Sequence, residues 1–175
     1  MTLSDGRDIT TSMIIIGIDP GVARIGWAIV NIVQRNVSAN AYGCIITDKS
    51  NPIEKRLLHI HVAVSDLINK YHPECMSVEE LFFQKNAKTA ITVGEARGVI
   101  MLASAQTKIP LASYGPMVVK QAICGSGSAE KSQIQRMTAK LLKLPTIPKP
   151  DDTADALAIA LTHAYSYRVK YTKTL

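Results

Sequence analysis

The 175-residue sequence has only three cysteines, Cys44, Cys75 and Cys124, an odd number in apolar surroundings and without metal-ligand spacing. A disulfide framework and a structural zinc site are therefore excluded, and the thiols read as reduced core residues of a cytoplasmic protein. No run of 18 apolar residues occurs, and the opening MTLSDGRDITTS lacks the apolar stretch of an export signal. Neither a membrane span nor secretion is expected. Repeats and low-complexity tracts are absent too, which leaves one domain rather than an array. Charge is sparse, at 19% against 47% hydrophobic residues, so the chain can fill a real core. What charge there is leans one way: 20 Lys and Arg face 14 Asp and Glu, a formal +6. That surplus favours a polyanionic partner without naming it.

MIIIGID, from Met13, is a short β-branched run closed by Pro20-Gly21, the pattern of a buried central strand entering a turn. IGWAIVNIV and SANAYGCIIT, separated by polar QRN, are expected as antiparallel neighbours. Pro52 opens a helix in which Leu57, Ile60, Val64 and Leu67 recur at helical spacing, and Pro73 stops it. CMSVEELF reads as a fourth strand, AKTAITVGEARGVIMLASAQT as a long apolar helix and IPLASY as a fifth strand. The remainder forms three helical pieces split by GSGS and LPTIPKP. A meander followed by alternation predicts an α/β fold with a five-stranded mixed sheet and helices on both faces. Residues 1–12 are expected to be a disordered, dispensable extension, 13–165 the folded domain, and 166–175 a basic tail.

The acids fall at element ends. Asp19 ends the first strand, where an ionised side chain after five apolar residues is costly to bury unless a metal or partner compensates it; the plain alternative is a turn-forming Asp before Pro-Gly. Glu79 ends the fourth strand on the face opposite Met76 and Val78, and alone would be an ordinary surface residue. Asp152 and Asp155 lie three apart where a helix begins, so they share a face of its first turn. Helix capping is the bland explanation, and it suits one aspartate, with Asp151 after Pro150 as the expected N-cap. If strands one and four are neighbours and the last helix packs across their ends, the four carboxylates converge and need cations. Mg²⁺ uses few protein carboxylates, and two ions about 4 Å apart can hold the attacking and leaving oxygens of a phosphodiester. Acids beside a basic surface imply a nuclease.

Four segments, IIIGIDPG, SVEELFFQKNAKTAITVGEARGV, VKQAICGSGSAEKSQIQRM and DTADALAIALTH, resemble in order and spacing the motifs of RuvC, the bacterial Holliday-junction resolvase family, from Met13 to His163. The resemblance implies a ribonuclease-H-like fold and a homodimer. It also implies Mg²⁺-dependent symmetric nicking of four-way junction DNA, in cooperation with RuvA and RuvB. Two ions per site are expected, with Mn²⁺ as an alternative. Carried over by motif, Asp19, Glu79, Asp152 and Asp155 become the metal ligands and catalytic residues. Lys120 and Lys131 match positions that hold DNA near the scissile phosphate, Phe82 matches an aromatic set against bases at the crossover, and Lys85 lies in the same loop.

Each lysine alone would be a solvated surface charge. GSGSAEK forms a turn into a helix whose amides can receive a phosphate, with Ser128 as the expected N-cap. His163 and Trp27 read as packing residues. GIDPG also resembles the first phosphate loop of the sugar-kinase and actin ATPase fold, but 175 residues cannot supply its two domains. A ribonuclease H or a non-catalytic junction-binding scaffold remain the other readings.

Overall fold

The computed structural model describes residues 12–34, 36–80 and 87–172. Its elements run β1 (Ser12–Asp19), β2 (Arg24–Val33), β3 (Asn36–Ile46), α1 (Ile53–Tyr71), β4 (Cys75–Glu79), α2 (Ala87–Gln106), β5 (Leu111–Tyr114), α3 (Pro116–Cys124), α4 (Lys131–Leu141) and α5 (Asp151–Thr172). The strands form one sheet in the order β3-β2-β1-β4-β5. β1, β2 and β3 are antiparallel, whereas β4 and β5 join β1 in parallel. β1 is therefore the seam between a meander and a crossover half, which explains its unbroken apolar sequence.

Period-two alternation along that seam divides the core. Ile16 and Ile18, with Met76 and Val78 of β4, face α1 and α2 through Ile60, Val64, Ile68, Ala96 and Ile100. Ile15 and Cys75 face the other way, toward α3 and α5. Asp19 and Glu79 share the parity of Ile15 and Cys75, so both strand-end acids are aimed at the α5 side. The register Ile18↔Val78 sets them level with one another.

α5 is buried on nearly every side: Ala154, Ala156, Leu157, Ala158, Ile159, Ala160 and Leu161 are at most 1% exposed. Two strand glycines let it come close. A Cβ on Gly17 would lie 2.5 Å from the carbonyl oxygen of Ala156, and one on Gly26 would overlap that of Asp152. The helix continues to Thr172, so the stretch expected as a tail from 166 is helical over most of its length.

Two expected caps are replaced by other contacts. α4 starts at Lys131 with Glu130 at its N-cap and no side-chain cap, while the Ser128 hydroxyl pairs with that of Ser126 at 2.9 Å. Ser128 lies too far ahead of the first turn to cap it. Asp151 already belongs to the first turn of α5, and its carboxylate accepts from Lys149 Nζ at 2.7 Å rather than from a backbone amide. Trp27 is half-buried, its ring over Gly43 and 6.1 Å from that of Tyr71.

Candidate active site

A cleft of about 360 Å³ opens where β1, β4, α3, α4 and α5 meet, and its walls include Asp19, Glu79, Asp155, Lys120 and Lys131. Each comes from a different local cause. Asp19 and Glu79 are the last residues of parallel neighbouring strands. Asp155 is one turn into a helix that the strand glycines hold against the sheet. Lys120 stands on α3, and Lys131 is the first residue of α4.

The electrostatics are those of anions forced together in a half-dry place. Burial, then the charges of Glu79, Asp155 and Asp152, pushes Asp19 up to about 8 from its ordinary 3.8, against a smaller opposing pull from Lys131. Glu79 is likewise raised, by burial first and by Asp155 second. Lys131 Nζ lies 2.7 Å from Asp155 Oδ2. Burial alone would lower the ammonium's pKa, but its hydrogen bond to Asp155 and the nearby acids raise it. Asp155 is still raised on balance, because its burial outweighs that one cation.

Asp152 is placed differently from the expected four-way convergence. It lines an adjoining cleft, where Arg24 Nε is 3.1 Å from its Oδ2, and it reaches Asp19 through charge rather than contact. That Oδ2 is shielded from solvent yet accepts no hydrogen bond, the guanidinium lying close but misaligned. Among the described residues no group of three His, Cys, Asp or Glu side chains is arranged to hold a metal ion by itself. The donor set nevertheless fits a hard divalent ion. It is all oxygen, it contains an orphaned buried carboxylate oxygen and a carboxylate whose ionisation is strongly opposed, and Mg²⁺ keeps waters or phosphate oxygens for most of its shell.

Four contributing residues escaped the sequence reading. Arg97 of α2 donates to the Glu79 carbonyl at 3.2 Å and to Ser113 Oγ at 2.8 Å, tying the ends of β4 and β5; a lone arginine in an apolar helix was the available signal. Gly17 and Gly26 stand inside strands, which signals close approach of another backbone. Arg24 gave no signal beyond its charge. Phe82 and Lys85 lie outside the described residues. His163 accepts its packing role: its Nδ1 is 2.7 Å from Tyr114 Oη, with the rings edge to face.

Comparison with known proteins is consistent along the chain. The family model for crossover junction endodeoxyribonuclease RuvC matches residues 15–163. Crossover junction endodeoxyribonuclease RuvC of Desulforamulus reducens is 51% identical over 152 residues, 87% of this chain and 93% of that protein. The Thermus thermophilus RuvC structure superposes with a TM-score of 0.84 at 35% identity, covering 90% of this chain and 97% of the other. T. thermophilus RuvC in complex with Holliday junction substrate superposes at 0.81 and 34% identity, covering 90% and 96%.

Proposed function

The chain belongs to the RuvC family of crossover junction endodeoxyribonucleases, and from that membership we propose the division of labour among its residues. It is an endonuclease that resolves Holliday junctions in recombination and repair, in a family that is metal-dependent. The observation that carries the residue assignment is one cleft holding Asp19, Glu79, Asp155, Lys120 and Lys131 together.

Asp19, Glu79 and Asp155, with Asp152 at the margin, would hold Mg²⁺, two ions per site, with Mn²⁺ as the substitute. Held there, it would supply a nucleophilic water near neutral pH and charge stabilisation on the leaving 3′ oxygen, with a 5′-phosphate end as the product. The chain's own groups do the rest. Carboxylates on strand ends and on a buried helix are rigid, so little reorganisation is needed when the phosphodiester arrives. Lys131 neutralises Asp155 in the free protein and faces the same cleft as Lys120, where both ammoniums can hold non-bridging phosphate oxygens as charge develops. The apolar wall of Val119, Ile134 and Ile159 limits water around those charges. Phe82 would stack against bases at the crossover and Lys85 would add backbone contact.

Symmetric nicking calls for two such sites, so a homodimer is part of the proposal, as are RuvA and RuvB as partners in branch migration and the cytoplasm as its location. Among the described residues no helix is long and apolar enough to cross a membrane. Incubation with a four-way junction, a matched duplex and an RNA:DNA hybrid, with and without Mg²⁺, tests the reading. Paired nicks confined to the junction are expected; equal cutting of the hybrid would move the chain to ribonuclease H chemistry.

A further inference from the structure

Beside the carboxylates lies the second cleft, of about 410 Å³, whose walls include Gly21, Arg24, Arg56 and Asp152. Arg56 is fixed there: its Nε donates to Thr47 Oγ1 at 2.9 Å, and that buried hydroxyl in turn donates to the carbonyl of Val22 in the turn after β1. Arg24 is not fixed. Its side chain is 58% exposed, and its one ion pair among the described residues is the misaligned approach to Asp152. The fully exposed Asp48 feels Arg56 only weakly, its carboxylate accepting from the Ser50 backbone N–H at 2.9 Å. Two guanidiniums thus share the cleft with one half-buried carboxylate, and a guanidinium fork matches the oxygens of a phosphodiester.

We propose that this cleft is a second backbone-phosphate subsite of the nuclease, with Arg24 as its movable half. In the absence of metal Arg24 pairs with Asp152; when a divalent ion takes that carboxylate, Arg24 turns to a DNA phosphate alongside Arg56. The inference rests on the nuclease reading and extends it. Lys120 and Lys131 approach the carboxylates from α3 and α4, whereas Arg24 and Arg56 approach from β2 and α1, so a strand crossing the acids is gripped on both flanks. The pair to be broken is weak, because its arginine is largely exposed and its geometry makes no hydrogen bond. Metal and DNA then favour each other's binding through one side chain, and the coupling is reciprocal.

The test uses the full chain and its Arg24→Gln variant. Mg²⁺ binding to protein alone, followed by calorimetry, should tighten about two- to fivefold in Arg24→Gln, the worth of the lost competitor. Junction binding in Ca²⁺ across a salt series should lose about one unit of slope in log Kd against log salt. In EDTA, where Arg24 is occupied by Asp152, variant and wild type should show the same slope. Arg24→Lys should restore the slope in Ca²⁺. Arg56→Gln, with its fold checked by melting, should lower the slope and leave Mg²⁺ affinity alone. Unchanged Mg²⁺ affinity and slope in Arg24→Gln, beside a wild type that binds and cuts junctions, would overturn the subsite alone. A wild type that does not prefer the junction to a duplex would overturn the nuclease reading with it.

Discussion

Asp19→Asn should make the metal-free protein more stable while ending cleavage. The aspartate's pKa is pushed from 3.8 to about 8, chiefly by burial and then by Glu79, Asp155 and Asp152. A carboxyl group with its folded pKa above its unfolded one binds protons more tightly in the native state. Its contribution is complete below the unfolded value near 4 and is lost as pH rises through 8. At about 1.4 kcal/mol per pKa unit, the loss between pH 6 and pH 8 is about 2 kcal/mol. Asparagine has nearly the same shape and no charge to bury. In EDTA at pH 8 the variant should therefore exceed the wild type by at least about 2 kcal/mol, or roughly 4–8 °C in Tm for a domain of this size. The advantage should shrink toward pH 4. Mg²⁺ should raise the wild-type Tm, since a ligand bound only by the native state stabilises it, and should barely move the variant's. Thermal unfolding of both proteins at pH 4, 6 and 8, with EDTA or Mg²⁺, provides the measurement. A variant no more stable than wild type at pH 8, or equally favoured at pH 4, would refute the account of a carboxylate held under strain for a metal.

Glu79→Gln, Asp152→Asn and Asp155→Asn should each lose cleavage and retain junction binding in gel-shift assays, because the basic flanks remain; near-normal nicking would remove that residue from the ligand set. Lys131→Ala and Lys120→Ala should reduce kcat more than affinity in single-turnover cleavage, and equal losses would make them general backbone contacts. Gly26→Ala, whose methyl would overlap the Asp152 carbonyl, should cost about 1–3 kcal/mol in urea unfolding and cut activity with it. Asp151→Ala, which removes an exposed carboxylate whose main partner is Lys149, should leave both melting and cleavage nearly unchanged.

The sheet was legible because β1 and β4 are apolar runs that end in acids, and alternation alone told which way Glu79 points. The face that Asp19 occupies needed the sheet register, since Ile14 to Ile18 is apolar on both sides and hides parity. Asp151 and Ser128 show where local rules fail. A cap preference is a statement about an isolated turn, and here Lys149 captured one side chain while the helix after the other began two residues later than its turn chemistry suggested. Asp152 was placed by spacing on the same face as Asp155, yet Arg24 drew it into a neighbouring cleft. Pairs made between distant segments leave no periodic trace in a sequence.

α5 supplies two of the acids and is also the largest single block of the core, buried along Ala154–Leu161 against β1 and β2. Among the described elements it comes last in chain order, more than 130 residues after Asp19. A chain cut short before α5 would lack both two of the proposed ligands and the surface that covers one face of its sheet, so loss of the core and loss of the site go together. For an enzyme whose misplaced activity would break chromosomes, placing proposed ligands on a structural keystone ties the capacity to cut to completion of the fold.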